Sequence, residues 1–416
     1  MILTKIKKNY YQNKKIFESV SYLTIIQIVA MLLPFLTYPY LIKTLGLGLY
    51  GKVMLSQAVV SYVAIFVNFG FNISAAKSVS EKLGDESQLN IICSAIITVK
   101  TVLWCIITFV YVSCILTLIN EHYERILYLA SYTLTFNEFL ICQWFYQAKE
   151  QLKIVAISSI VGKIVNVVLV FVMIKGPDDY YLMSLITGAC FFIIGLYCTF
   201  NMFKYHIKFV KPDMASIINV MRDSVNLFLT SAVIAIKNKL DVIFIGLFIS
   251  SEMVAIYDFA QKILNILLLP ISIINNAVFP RMNREKSSSL LKKILLVSLV
   301  FAISYTSVSE LLIPYVMKYI FVISHDSVTI TRIMIVATIF FALSLPLAQN
   351  GLIVFNYTKL HLIGMLSTTL IYIFIIAFGY QLGYLTNVYY FVFTSLILFC
   401  YEAIYRYVLC KWKKIL

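Results

Sequence analysis

The chain has 416 residues, of which 61% are hydrophobic and only 13% are charged. A soluble domain of this length could not hide so much apolar surface from water, so the composition excludes a soluble globular protein and indicates an integral membrane protein. Its formal net charge is +15, with 34 Lys and Arg against 19 Asp and Glu.

The N-terminal residues 1–19 mix lysines with apolar residues, a pattern typical of a basic amphipathic helix on an anionic leaflet; a frayed basic tail is the alternative. About twelve apolar stretches follow, each near the roughly 20 residues that cross a bilayer as a helix. The alternation of a membrane β-barrel is absent, so we predict an all-α integral membrane protein. The predicted spans are 20–42, 53–76, 89–118, 126–147, 154–174, 181–203, 224–249, 254–279, 291–317, 332–355, 361–383 and 388–409.

The longest polar connection, residues 204–223, divides these spans into two sets of six. We therefore predict an N-terminal six-helix bundle over residues 1–203, a cytoplasmic linker over 204–223, and a C-terminal six-helix bundle over 224–416. Segments 45–58 and 249–262 occupy corresponding places in the two halves, as in a duplicated transporter.

Lysine and arginine are distributed unevenly between the two sets of connections. If the N-terminus is cytoplasmic, 23 of them fall on the cytoplasmic side and 6 on the other side. The excess of cations on the inner face of membrane proteins therefore predicts that both termini are cytoplasmic.

Five lysines lie inside the apolar spans, where an isolated cation costs about 3 kcal/mol on insertion scales. They are Lys100, Lys163, Lys237, Lys239 and Lys262. Such a surplus predicts a cationic, water-filled interior that receives an anionic cargo. The alternative is that these lysines serve only in structural ion pairs.

Three carboxylates inside the spans are candidates for pairing or for ion coupling: Glu138, Asp241 and Asp258. Lys237 and Asp241 are four residues apart, as are Asp258 and Lys262, so each pair can meet on one helix face. Glu138 could pair with one of Lys100 and Lys163. The flanks of the seventh span are each too short to cross a bilayer, so we expect one continuous helix there.

Asn and Gln residues recur in the spans and suit a hydrophilic cavity that contacts sugar hydroxyls, although interhelical packing is the other interpretation. The eight cysteines and four histidines show no metal-type spacing, and no phosphate-binding G-x-x-x-x-G-K-[ST] loop occurs. We expect no cofactor, no metal and no nucleic-acid partner. The short outward loops argue against a membrane glycosyltransferase or polymerase.

Residues 33–58, LPFLTYPYLIKTLGLGLYGKVMLSQA, contain Pro-Tyr-Leu, Leu-Gly and Tyr-Gly elements, and residues 240–262 and 275–281 look like their counterpart in the second half. This pattern resembles the polysaccharide transporters of the multidrug/oligosaccharidyl-lipid/polysaccharide (MOP) exporter superfamily, most closely bacterial O-antigen flippases of the Wzx type. The second-half pattern departs from the family at Ala255 and Ile256, where a glycine usually precedes the tyrosine.

The resemblance implies two pseudo-symmetric six-helix bundles around a central cavity, in the bacterial inner membrane. It implies translocation of undecaprenyl-diphosphate-linked oligosaccharide repeat units driven by ion gradients, with membrane lipid around the protein and no catalytic residues. A polysaccharide polymerase and a chain-length regulator are candidate protein partners. The rival functions are a cation-coupled multidrug exporter of the same superfamily, which the lysine excess disfavours, and a membrane polysaccharide polymerase.

Overall fold

A computed structural model describes the backbone of residues 2–205, 207–320 and 325–416. It describes the side chains of 28–29, 31–205, 207–233, 239–318 and 326–416. Every regular element in these ranges is a helix, which confirms the prediction of an all-α fold. The chain divides into two compact units. One comprises Met1–Tyr40 and Ser56–Ala235, and the other comprises Leu41–Leu55 and Ile236–Leu416.

The first unit contains most of α1, the whole of α2 to α8 and the start of α9. Helix α1 is interrupted at Gly46, whose φ of 79° is not helical. The helices are α1 (Ile2–Asn68), α2 (Phe71–Ser80), α3 (Glu86–Leu118), α4 (His122–Tyr132), α5 (Phe136–Leu140), α6 (Gln143–Ala148), α7 (Lys153–Met173), α8 (Leu182–Phe203) and α9 (Met214–Phe248).

The second unit contains the short α1 segment around Gly46, the remainder of α9 and all later helices. A π-helical turn at Leu347–Ile353 continues α13. The later helices are α10 (Ser251–Glu285), α11 (Ser288–Ile320), α12 (His325–Ile335), α13 (Ala337–Pro346), α14 (Thr358–Gln381) and α15 (Val388–Trp412).

Nine helical segments within the described ranges are long and apolar enough to cross a membrane. One of them, Met31–Ser80, contains residues 31–42 of the first predicted span and the whole of the second. The fourth and seventh predicted spans are not among the nine. The fourth is divided among short helices, whereas the seventh lies in α9, a continuous helix of 35 residues, as predicted from the short flanks.

The fourth predicted span, 126–147, is a broken helix. A 3₁₀ turn at Thr133–Thr135 separates α4 from α5, and Ile141 then leaves helical geometry with ψ of 105°. The break frees the carbonyl of Leu140, which accepts a hydrogen bond of 2.9 Å from the Thr199 hydroxyl of α8. Irregular backbone at membrane depth is tolerated where such a side chain replaces the lost bond.

Helix α9 begins at Met214, inside the predicted cytoplasmic linker 204–223, whose role as a linker stays a prediction. Its first turns are amphipathic: Val220 is buried in the core of the first unit, with Ile217 and Met221 packed against that core. The boundary between the compact units accordingly lies at residues 235 and 236, within α9. The polar residues of 214–223 led to the prediction that this segment lies outside a span. In the structure the segment is helical, and its apolar face packs on the core of the first unit.

Residues 41–55 belong to the second unit, although they comprise the end of the first predicted span, the connection after it and the start of the second span. Gly51 packs directly on the start of α10: a Cβ atom there would lie 1.6 Å from the carbonyl oxygen of Ser251. Ser250 caps α10, its hydroxyl accepting a hydrogen bond of 3.2 Å from the amide of Met253. The close approach requires glycine at position 51.

We therefore expect Gly51→Ala to lower the free energy of unfolding by about 2 kcal/mol or more, because the methyl group meets backbone that cannot rotate away. Gly48→Ala is the matched control, since its nearest neighbours would be 3.9 Å away. Thermal unfolding of the purified protein in detergent measures both. Equal stability of the two variants would contradict the close packing.

Candidate functional site

An ion pair on α10 joins two of the residues singled out from the sequence. Lys262 Nζ lies 2.5 Å from Asp258 Oδ2, one helical turn away. The same amine donates a hydrogen bond of 3.1 Å to the Tyr50 hydroxyl and lies 3.7 Å from Met54 Sδ. Asp258 is 8% exposed, whereas 26% of the Lys262 side chain remains accessible. Lys262 is thus a cation with these three partners and a partly accessible side chain.

The sequence elements that carried the family resemblance have structural roles. Tyr40 donates a hydrogen bond of 2.5 Å to the carbonyl of Ile174 in the first unit. Leu45 is buried, and Gly46 supplies the non-helical turn that follows it. Tyr50 is 1% exposed and holds Lys262 in the second unit. The motif therefore builds the segment that meets α10.

Asp241 of α9 is a second buried carboxylate, 2% exposed. Its Oδ2 accepts hydrogen bonds from Tyr257 (2.6 Å) and Ser395 (3.2 Å). Its Oδ1 accepts a bond of 2.7 Å from Tyr372. Three hydroxyl donors satisfy an ionised carboxylate, which is an acceptor only. Four helices of the second unit, α9, α10, α14 and α15, therefore converge on one side chain that can gain or lose a proton or attract a cation.

The seventh predicted span contains two lysines, Lys237 and Lys239. The side chain of Lys237 lies outside the described residues, so its predicted pairing with Asp241 stays a prediction. Lys239 is exposed. Lys239 forms no ion pair with any residue whose side chain the structure describes. Its role as a cavity residue also stays a prediction.

Glu138 of α5 is held by amides rather than by a lysine. It accepts hydrogen bonds from the side-chain amides of Asn68, Asn72 (3.4 Å) and Asn137 (2.8 Å). The ion pair of Glu138 with Lys100 or Lys163 that the sequence suggested is not present among the described side chains. The break in the fourth span is the physical reason, because it turns Glu138 toward the end of α1 and the start of α2.

Lys100 of α3 is 3% exposed, and its Nζ has no hydrogen-bond partner among the described residues. Lys163 of α7 is half-buried and likewise has no ion pair in that part of the chain. In this arrangement Lys100 therefore does not reach water, and Lys163 does so in part. A buried ammonium group without a partner is strongly unfavourable, since it has lost its hydration without compensation.

We expect Lys100→Met to raise the free energy of unfolding by about 1 kcal/mol or more, because it replaces an uncompensated buried cation with an apolar chain of similar length. The same change should lower export if the amine serves transport. Thermal unfolding and surface-polysaccharide assays measure the two effects, with Lys163→Met as a partly exposed control whose stability stays near the native value. A less stable Lys100→Met variant would contradict the burial argument.

The sequence did not identify the three partners of Asp241, which are Tyr257, Tyr372 and Ser395. Hydroxyl side chains are common in membrane spans, and these three come from separate helices. The charge distribution predicts Arg406 as one of the 23 cytoplasmic cations; in the structure it is 7% exposed and lies 3.1 Å from Glu402. The spacing of four between Glu402 and Arg406 was the available signal.

Comparisons with known proteins agree with this architecture. The model of a family described as "Polysaccharide biosynthesis protein" matches residues 16–286. A protein of Escherichia coli (strain K12) named "Putative O-antigen transporter" is 27% identical over 286 residues, covering 66% of this chain and 68% of the relative. A protein of the same name from Shigella dysenteriae is 24% identical over 277 residues, covering 65% and 68%.

Solved structures share the fold at low identity. The lipid II flippase MurJ in an inward closed conformation matches with a TM-score of 0.75 and 14% identity, covering 94% of this chain and 87% of that one. An inward-facing multidrug resistance MATE family transporter of the MOP superfamily matches with a TM-score of 0.69 and 12% identity, covering 94% and 98%. The resemblance indicated by residues 33–58 is confirmed. The chain belongs to the polysaccharide biosynthesis protein family and has the fold of the MOP superfamily transporters.

Proposed function

We propose that this protein moves undecaprenyl-diphosphate-linked oligosaccharide repeat units from the cytoplasmic to the periplasmic face of the bacterial inner membrane, for assembly of O-antigen or a related surface polysaccharide. Both termini would be cytoplasmic, and the protein would perform translocation without bond chemistry. The names of the two relatives and the lipid II flippase among the structural neighbours support this proposal.

The surplus of cations inside the apolar helices is the observation that carries the proposal. Among the predicted intramembrane lysines whose side chains are described, Lys262 is ion-paired, while Lys100, Lys163 and Lys239 have no ion pair with a described residue. Uncompensated positive charge at membrane depth suits an anionic diphosphate. It does not suit the cationic cargo of a multidrug exporter, which would be repelled.

Lys262 is proposed as the diphosphate contact, because 26% of its side chain is accessible while Tyr50 and Asp258 fix its position. An incoming diphosphate would compete with Asp258 for the same amine. Lys100, Lys163, Lys237 and Lys239 are proposed as further cationic residues along the path.

Asp241 is proposed as the ion-coupling residue. Protonation would turn the carboxylate from a pure acceptor into a donor on one oxygen, which conflicts with the hydroxyl donors now facing it. Binding of a small cation would instead pull the carboxylate oxygens of Asp241 toward the cation. Either event changes the contacts of α9, α10, α14 and α15 together, which is how an ion gradient would bias the second unit.

A deletion strain tests the proposed function. We expect loss of surface polysaccharide and accumulation of single lipid-linked repeat units on the cytoplasmic leaflet, both reversed when the chain is supplied again. Leaflet sidedness is read from the access of an added, membrane-impermeant glycosidase. Single units trapped on the periplasmic side would indicate a polymerase instead, and unchanged polysaccharide with raised drug sensitivity would indicate a drug exporter.

A further inference from the structure

Polar side chains follow one line along α10. Asp258, Lys262, Asn265, Ser272 and Asn276 lie within about 40° on either side of that line in an ideal helix with 3.6 residues per turn. Leu269 lies on the same line, between Asn265 and Ser272. At about 1.5 Å per residue, the line is about 27 Å long, close to the thickness of the hydrocarbon layer. We call the five polar residues the polar stripe.

From Lys262 onward the polar stripe faces away from the core of the second unit, whereas Asp258 at its start is buried. The opposite side of α10 carries Tyr257, Leu264, Ile271 and Met282, all of them buried. Asn265 and Asn276 are exposed, and the side chain of Asn265 forms no hydrogen bond with a described residue. An amide at this depth that meets hydrocarbon loses its hydrogen bonds, so a repeated exposed amide indicates water or a polar ligand.

An exposed apolar side chain lies next to the stripe. Ile273, which is 40% exposed, lies off the line between Ser272 and Asn276. At the C-terminal end of the stripe, the side chain of Gln349, in the π-helical turn, donates a hydrogen bond of 3.0 Å to Asn276 Oδ1. That bond orients the Asn276 amide so that its own NH₂ group remains free to donate. The change from amide to apolar within three residues fits a boundary between a polar path and lipid.

We propose that the polar stripe binds the sugar residues of the cargo, with Asn265 and Asn276 as hydrogen-bonding partners of sugar hydroxyls. This inference rests on the proposed function and extends it from the diphosphate to the glycan. The sugars are attached to the diphosphate, so a diphosphate held at Lys262 directs them along the residues that follow on α10. Neutral amides that both donate and accept suit hydroxyl groups, which do the same.

Cysteine labelling tests the stripe in membrane vesicles, with the native chain as the blank for its own cysteines. Asn265→Cys and Asn276→Cys are compared with Ile273→Cys, the matched exposed position off the stripe, by use of a charged, membrane-impermeant maleimide. We expect the two stripe variants to react at least about tenfold faster, because the reactive thiolate forms only where water reaches it.

Two probes then identify the ligand. Undecaprenyl-diphosphate-linked oligosaccharide, extracted from cells blocked in export, should slow labelling of both stripe variants, whereas undecaprenyl diphosphate without sugars should leave Asn276→Cys unaffected. Equal labelling of all three variants would overturn the stripe as a polar surface. Equal protection at Asn276→Cys by both probes, or by neither, would overturn sugar binding.

The deletion strain separates this inference from the function on which it rests. If the deletion traps repeat units on the cytoplasmic leaflet but the oligosaccharide does not protect the stripe, sugar binding alone is overturned. If the deletion traps no units, the proposed function fails and the sugar-binding inference fails with it.

Discussion

Replacement of Lys262 by glutamine should abolish most export and also destabilise the protein. The variant leaves the Asp258 carboxylate buried without the cation that now lies 2.5 Å away. Loss of one partner of a buried ion pair costs about 3 kcal/mol at the lower end of the usual range, which is the relevant end because Lys262 is partly exposed. Thermal unfolding in detergent measures the stability, and surface polysaccharide in the complemented deletion strain measures export.

A double variant separates transport from folding. Asp258→Asn combined with Lys262→Gln removes both charges and should restore the free energy of unfolding to within about 1 kcal/mol of the native value. Export should remain at least about tenfold low, a rise of about 1.4 kcal/mol or more in the transport barrier, because no cation is left to receive the diphosphate. Native export in the double variant would mean that the pair is structural.

Lys239→Ala provides a second comparison at an exposed lysine. Removal of this cation should lower export while leaving stability near the native value, since the side chain has no ion pair with a described residue. Unchanged export after both Lys239→Ala and Lys262→Ala would overturn the assignment of these lysines to the cargo path.

Asp241→Asn should lower both the stability of the protein and its export activity. The amide NH₂ would face hydroxyl groups that now donate to a carboxylate, so at least one buried hydroxyl would lose its acceptor. We expect a loss of about 2 kcal/mol in stability. Export should fall about tenfold and lose its dependence on the ion gradient, because the residue can no longer change charge. Transport into vesicles with imposed proton or sodium gradients measures that dependence.

Tyr372→Phe is the matched control for Asp241. It removes one of three donors and leaves the carboxylate with Tyr257 and Ser395, so it should cost about 1 kcal/mol. Gradient-dependent export should persist in this variant. Full, gradient-dependent export in Asp241→Asn would exclude the ion-coupling role.

Local spacing explains which parts of the candidate site were predictable from sequence. Asp258 and Lys262 lie one turn apart on the same helix, so their contact follows from helix geometry alone. The partners of Asp241 lie on three other helices, and no sequence spacing relates Tyr257, Tyr372 and Ser395 to one another. Glu138 was expected beside a lysine because only charge was considered, whereas three asparagine amides satisfy it.

The fold was predictable to a similar depth. Apolar length locates the helices because each must satisfy its backbone across the hydrocarbon, and the continuity of α9 followed from the same constraint. Hydropathy does not reveal the break at Ile141, since the Thr199 hydroxyl that compensates for it lies on another helix. It also does not reveal that α9 begins at Met214, because the polar face of its first turns gives that segment the composition of a linker.

The assignment of residues 41–55 to the second unit has a consequence for split genes. Two fragments cut within residues 204–213 would each lack part of a unit. The downstream fragment would lack Tyr50, which holds Lys262, and the upstream fragment would lack Val220, which fills the first unit's core. Neither fragment is therefore an independent folding module, and activity from a divided gene would require both pieces to be synthesised in the same cell.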